Sequence, residues 1–117
     1  MEFYPMEKDV LNVGKRIKST KKRYSWKFKL GKTEHELNLY VSKLSSKRKI
    51  ILDGNIEFNG KRTSGVLFEH LMRIEGVSCQ VYQKEEGYEF RVRNETFSDK
   101  LTQRAKAWMS KKREEGT

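Results

Sequence analysis

Cys79 is the one cysteine of this 117-residue chain, and it is the first side chain to weigh as a catalytic group. A nucleophilic thiol needs a neighbouring base and a lowered pKa. The two histidines that could serve as the base, His35 and His70, lie in no recognisable local motif. Cys79 also shares strand parity with Val77 and Val81, which places it on an apolar face. The pattern therefore favours a small core residue over a Cys–His pair.

Metal and phosphate chemistry find equally little support. A structural zinc site needs four cysteine or histidine ligands, and the chain has one cysteine and two histidines. The carboxylate pairs Glu34/Glu36 and Glu85/Glu86 flank predicted turns, where solvation is expected. Phosphate-binding loops of the Walker type and serine elbows do not occur in the sequence. We therefore expect no metal, no cofactor and no enzymatic activity.

The positive charge is concentrated, and it predicts a surface that binds anions. The chain has 26 Lys and Arg against 16 Asp and Glu, a net charge of +10. Residues 15–32 carry nine cations and no acid, and we assign Lys27 and Lys29 to the solvent face of a strand. GKRTSG, residues 60–65, is either a backbone anion nest or a simple loop. The predicted anion- or partner-binding residues are Lys15, Arg16, Lys18, Lys21, Lys22, Arg23, Lys47, Arg48, Lys49, Lys61 and Arg62.

The elements that would carry these cations follow from hydrophobic periodicity. WKFKL alternates with Trp26, Phe28 and Leu30 on one face, and HELNLYV repeats the pattern, so the two are predicted to form a hairpin. Asp53-Gly54 suits the positive φ angles of a second tight turn. We interpret Asn59-Gly60 as a further turn.

The later half reads as a meander followed by a helix. VLFEHLMRI, residues 66–74, fits either a strand or one helical face, whereas VSCQVYQ and YEFRV fit strands about Glu86-Gly87. The apolar spacing changes to a helical one from Phe97 onward, with Ser98 as the predicted cap and Lys111 to Arg113 at the C-terminal end.

Two interpretations of this helix stay open. Trp108 and Met109 could close the open end of the β-sheet layers, which is the interpretation we prefer. Alternatively the helix continues into a coiled coil and makes the protein a homodimer. The residues of that helix interface would be Leu101, Ala105, Trp108 and Met109.

The sequence thus predicts a mainly β fold, an antiparallel β-sandwich or barrel of about seven strands with one C-terminal amphipathic α-helix. We expect a flexible basic N-terminal arm at 1–23, the β-sandwich domain at 24–94, and the helix and tail at 95–117. A lone cysteine and the lack of an apolar run of ~20 residues fit a soluble, cytoplasmic, reducing setting. The ending KKREEGT has no closing feature, which is typical of a segment of a longer chain.

Between Trp26 and Val92 the chain resembles the Fas apoptotic inhibitory molecule family. The matching features are Trp26 and Leu30, His-Glu-Leu at 35–37 and SSKRKIILDG at 45–54. The resemblance implies an antiparallel β-sandwich that lacks catalysis and acts through protein contacts. Seven strands and a Trp-bearing helix are also similar in outline to a pleckstrin-homology fold, whose first turn binds phosphoinositides.

These observations favour a binding function over catalysis. We expect a non-enzymatic adaptor or scaffold domain, part of a larger protein or assembly, whose basic surface docks an acidic protein partner. The alternatives are peripheral binding to anionic lipid headgroups and non-specific binding to nucleic acid. Nucleic-acid binding has the weakest support, because the aromatic residues mostly share the apolar parity of the strands.

Overall fold

Two antiparallel sheets form the body of the protein, and a C-terminal helix packs beside them. The computed structural model describes the backbone of residues 1–115 and the side chains of residues 1–111. The strands are β1 (Phe3–Asn12), β2 (Lys21–Leu30), β3 (Thr33–Ser42), β4 (Lys47–Leu52), β5 (Asn55–Lys61), β6 (Glu69–Ile74), β7 (Val77–Gln83), β8 (Tyr88–Val92) and β9 (Glu95–Thr96). One turn of 3₁₀ helix (Lys18–Thr20) precedes β2, and helix α1 (Phe97–Glu115) follows β9.

The order of the strands in each sheet follows the order of the chain. Strands β1 to β5 form the first sheet and β6 to β9 the second, and every pair of neighbours is antiparallel. Residues 62–68 connect the two sheets. The expected mainly β, sandwich-like fold with a C-terminal helix is confirmed, with nine strands among the described residues in place of about seven.

The core lies between the sheets and is rich in aromatic rings. Trp26 is fully buried, and its ring centroid lies 6.2 Å from that of Tyr24 and 6.1 Å from that of Phe90. The inward alternation predicted for β2 and β3 is confirmed, because every second residue of their central segments is buried. Cys79 is only 3% exposed, as its strand parity predicted.

The N-terminal residues correct the expected domain boundaries. Residues 1–23 are not the expected flexible arm, because Phe3–Asn12 is strand β1 and pairs along most of its length with β2. Phe3 is 1% exposed and packs edge-on against Phe28, 5.9 Å between ring centroids. A register shift between Pro5 and Glu7 interrupts the period of two, which is why the alternation of this strand is hidden in the sequence.

Two local predictions about turns and strands are decided by the structure. The predicted turn at Asn59-Gly60 is wrong, because both residues lie inside β5 and pair with β4. Residues 69–74 are strand β6 rather than helix. Asp53-Gly54 is the predicted tight turn, with φ of 51° and 83°.

Helix α1 is held to the sandwich by its first turns. Phe97 is fully buried, and Leu101 packs against the core from the next turn. The cap is Thr96, whose Oγ1 accepts a hydrogen bond from the Asp99 N–H at 3.2 Å, rather than the predicted Ser98. Our preferred interpretation that Trp108 closes the sandwich is wrong, because this side chain is 60% exposed, and Met109 beside it is also exposed.

Within the described part of the chain, no helix combines the length and apolar character that crossing a membrane requires.

Candidate docking surface at one end of the sandwich

The cysteine is placed for packing rather than for chemistry. The Cys79 Sγ donates to the carbonyl oxygen of Val77 at 3.4 Å, inside the core. Burial raises the pKa of the Cys79 thiol to about 11. The thiol therefore stays protonated at neutral pH and is a poor nucleophile.

His35 bridges the two sheets instead of acting as a base. Its Nδ1 donates to Asp53 Oδ2 at 2.6 Å, in the β4–β5 turn, and its Nε2 donates to Glu75 Oε2 at 2.9 Å, in the β6–β7 turn. Both ring nitrogens can donate only when the imidazole is charged. In that charged state both nitrogens are engaged by carboxylates, and His35 carries no lone pair that could accept a proton.

We expect this bridge to make the free energy of unfolding depend on pH. Burial opposes the charge of His35, but the hydrogen bonds to Asp53 and Glu75 outweigh it, and the pKa of His35 is raised above its usual value. The stabilisation is therefore fully present below about pH 6.5, the ordinary histidine pKa, and is lost as pH rises through the raised pKa. Urea unfolding across this range should show a smaller pH dependence for His35→Gln than for the wild type. Equal pH dependence in the two proteins would contradict the assignment.

Side chains that could hold a metal ion are not grouped anywhere among the described residues. The surface that remains to be explained is the positively charged one.

The alternating direction of the strands brings four loops to one end of the sandwich, which we call the basic end. It comprises the loops β1–β2 (residues 13–20), β3–β4 (43–46), β5–β6 (62–68) and β7–β8 (84–87), with the adjoining ends of the strands. The turns β2–β3, β4–β5, β6–β7 and β8–β9 lie at the opposite end. Sequence clusters that are far apart in the chain therefore meet in space.

Contacts between the loops fix the basic end as one surface. The Lys43 N–H donates to the Thr20 carbonyl at 2.8 Å, which ties the second loop to the first. The Arg62 N–H donates to the Ser46 carbonyl at 2.8 Å, which ties the third loop to the second. The fourth loop joins through Tyr88, which follows it and whose ring centroid lies 5.0 Å from that of Tyr24 at the start of β2.

Most of the predicted binding cations lie at this end. Lys15, Arg16 and Lys18 are exposed on the β1–β2 loop. Arg62 begins the β5–β6 loop. The other members of the predicted set are at the adjoining strand ends: Lys21, Lys22 and Arg23 at the start of β2, Lys47, Arg48 and Lys49 at the start of β4, and Lys61 at the end of β5. The structure thus brings together clusters that the sequence shows only as separate runs.

Arg48 does not belong to the accessible set. Its side chain is buried, and its Nε donates to the Tyr88 hydroxyl at 3.0 Å. Its Nη1 donates to the Lys47 carbonyl at 2.8 Å. Burial and the use of Nε and Nη1 within the protein give Arg48 a structural role, and its binding to an anion stays a prediction.

Arg62 also has a structural role. Its Nη1 donates to the Val66 carbonyl at 3.2 Å across the β5–β6 loop, and its own N–H is bonded to Ser46. The Val66 N–H donates to the Thr63 carbonyl at 3.2 Å. The Arg62 N–H, which an anion nest at residues 60–65 could use, is therefore bonded within the protein, and this favours the simple-loop interpretation of GKRTSG.

Arg23 and Lys49 point away from the sheet interface. Both are register partners of Tyr40, one on each side of it, and lie on the outer face of the first sheet. On that face Arg23 shares a depression with the carboxylates Glu7, Asp9 and Glu36.

Sequence reasoning missed two exposed cations and a set of apolar tips at the basic end. Lys43 and Lys84 lie in the β3–β4 and β7–β8 loops. Glu85 and Glu86 share the β7–β8 loop with Lys84, and exposed Glu69 begins β6. The exposed apolar residues of these loops are Ile17, Leu44, Val66 and Leu67. Alternate loops of an antiparallel meander lie at the same end of the sheet, so counting the strands could have placed these residues together.

The predicted helix interface is only partly available. Leu101 is half-buried, whereas Ala105, Trp108 and Met109 are exposed. With Tyr4 and Arg104, several of these residues line an open groove of about 480 Å³ between β1 and α1. Lys111 is exposed, and the side chains of residues 112–113 lie outside the described residues. Dimerisation through this helix stays a prediction.

No protein-family model, curated protein or solved structure matches this chain.

Proposed function

We propose that this chain is a non-enzymatic docking domain, an adaptor whose basic end binds an anionic macromolecular surface. The observation that carries the proposal is the convergence of cations from four separate loops on one end of the sandwich. No folding requirement explains this convergence, because exposed cations in neighbouring loops repel one another.

The opposite end of the sandwich gives the contrast. Its turns and adjoining strand ends mix both signs of charge, with Lys32 and Arg93 beside Glu34, Asp53, Glu75 and Glu95. Some of these carboxylates are used in contacts within the protein, such as those to His35. The resulting charge asymmetry would orient the protein as it approaches a negatively charged partner.

The states of the two groups first considered for catalysis support a binding role. The Cys79 thiol is buried with a raised pKa, and His35 is engaged on both nitrogens. An acidic protein partner and an anionic membrane would both use the cations of the basic end. Nucleic acid is a less suitable partner, because Tyr24 and Tyr88 at this end are buried and cannot stack on bases.

Charge reversal at the basic end should weaken binding to a polyanion more than the same reversal elsewhere. The basic-end variant is Lys15→Glu, Arg16→Glu and Lys18→Glu. The matched control is Lys32→Glu, Arg73→Glu and Lys106→Glu, which are exposed and lie on a β2–β3 turn, on β6 and on α1. Both variants lower the net charge from +10 by six, to +4.

The measurement is the affinity for immobilised polyglutamate over a series of salt concentrations. We expect the basic-end variant to bind at least about tenfold more weakly than the control, because only it loses charge from the converged loops. Indistinguishable affinities of the two variants would show that total charge, rather than the basic end, governs binding, and would overturn the proposal.

A further inference from the structure

Large apolar side chains stand at the tips of three loops of the basic end. Ile17 is 65% exposed in the β1–β2 loop and Leu44 is 83% exposed in the β3–β4 loop. Val66 and Leu67, in the β5–β6 loop, are 56% and 61% exposed. Single exposed apolar residues are ordinary on protein surfaces, but a set on neighbouring loops at one end marks an interaction site.

The tips are held in place by the same backbone hydrogen bonds that join the loops. The Ile17 carbonyl accepts from the Thr20 N–H at 3.1 Å, and the Thr20 carbonyl accepts from the Lys43 N–H beside Leu44. The β5–β6 loop is tied to the β3–β4 loop through Arg62 and Ser46. The apolar side chains therefore project from a braced surface.

Two of the three tips lie next to exposed cations. Lys15, Arg16 and Lys18 flank Ile17, and Lys43 precedes Leu44. Glu85 and Glu86 lie in the β7–β8 loop, which carries none of the apolar tips, whereas Glu69 begins β6 two residues after Leu67. The tips of the β1–β2 and β3–β4 loops thus present an apolar side chain next to exposed cations, whereas the Val66-Leu67 tip adds apolar area at the same end.

We propose that the basic end docks on an anionic lipid bilayer, with Ile17, Leu44 and the Val66-Leu67 pair entering the interface while the flanking cations stay among the headgroups. An anionic bilayer has negatively charged headgroups at its surface and an apolar region directly beneath them. The projecting apolar side chains match the apolar region, and the cations behind them match the headgroups. Long lysine and arginine side chains can reach the headgroups while their stems lie against apolar material. This inference rests on the proposed function and names the partner of that surface.

The first test removes the apolar tips and keeps every charge. The variant Ile17→Ser, Leu44→Ser, Leu67→Ser is compared with Ile56→Ser, Leu71→Ser, Met109→Ser, whose residues are equally apolar and exposed but lie on β5, β6 and α1. Binding to phosphatidylcholine vesicles with and without phosphatidylserine is measured by flotation, and circular dichroism checks that each variant is folded. We expect the tip variant to bind the phosphatidylserine vesicles at least about tenfold more weakly than the control.

The second test reports insertion directly. Leu44→Trp places a fluorophore at the most exposed tip, whereas Leu71→Trp places one on β6. With phosphatidylserine vesicles that contain brominated acyl chains, the fluorescence of Leu44→Trp should be quenched and shifted to the blue. The Leu71→Trp protein should show neither change beyond that of the wild type.

The outcomes separate this inference from the proposed function. If the tip and control variants bind vesicles with equal affinity and the tryptophan at position 44 is not quenched, insertion is overturned. Docking driven by charge alone would then remain. If the protein binds polyglutamate through the basic end but does not bind vesicles, the proposal of membrane docking is overturned and an acidic protein partner is favoured. Loss of the basic-end effect on polyglutamate would overturn the proposed function itself.

Discussion

Replacing Trp26 by alanine should lower the free energy of unfolding by about 3–5 kcal/mol. Trp26 is fully buried in the middle of β2 and packs between Tyr24 and Phe90, so the truncation leaves a large cavity between the sheets. The surrounding strands are fixed by their hydrogen bonds and can collapse only partly into that space. Urea unfolding followed by far-ultraviolet circular dichroism measures the change.

The chain supplies a matched control in its second tryptophan. Trp108 is 60% exposed on α1, and Trp108→Ala should cost at most about 1 kcal/mol. Trp26→Phe is the milder core variant if the alanine variant does not fold. The indole Nε1 of Trp26 has no hydrogen-bond partner among the described residues, so phenylalanine removes a buried donor along with some volume. Equal losses at Trp26 and Trp108 would show that the core is not where the structure places it.

Glu89→Ala should lower the free energy of unfolding by about 2–4 kcal/mol. This β8 carboxylate is 2% exposed and accepts from the Ser98 hydroxyl at 2.7 Å and from Lys84 Nζ at 3.3 Å. Lys8 Nζ donates to the same serine hydroxyl at 3.0 Å. Strands β1 and β8 and the first turn of α1 are therefore joined through one buried charge.

The readout should distinguish the loss of this junction from general weakening. Hydrogen exchange of the α1 amides should accelerate more in Glu89→Ala than exchange of the β2 amides, because the helix loses its anchor. Glu86→Ala, in the exposed β7–β8 loop, is the control and should change stability by no more than about 0.5 kcal/mol. Uniform acceleration across the protein would contradict the proposed anchoring role of Glu89.

Features with a local cause could be predicted from the sequence. The inward faces of β2 and β3 follow from alternation through Trp26, Phe28 and Leu30, and the turn at Asp53-Gly54 follows from the need for positive φ angles. Strand β1 could not be predicted in this way, because its register shift next to Pro5 breaks the pattern.

Features with distant causes were misjudged. Arg48 belongs to a basic run in the sequence, but its partner Tyr88 is 40 residues away, and that contact turns a predicted anion-binding residue into a buried structural one. Glu89 carries no local sign of burial, since Lys8 and Ser98 come from other elements. The cations of the candidate site were identified, but their meeting at one end depends on the number and direction of the strands.

The strand order of the two sheets has a consequence for how the chain reaches its native state. Because every strand within a sheet hydrogen-bonds to its neighbour in sequence, each sheet can grow by adding one hairpin at a time, and each step closes only a short loop. Folding rates rise as the sequence separation of contacting residues falls. We therefore expect this protein to fold faster than sandwiches of similar size with Greek-key connections. Joining the two preformed meanders across residues 62–68 would then be the late event.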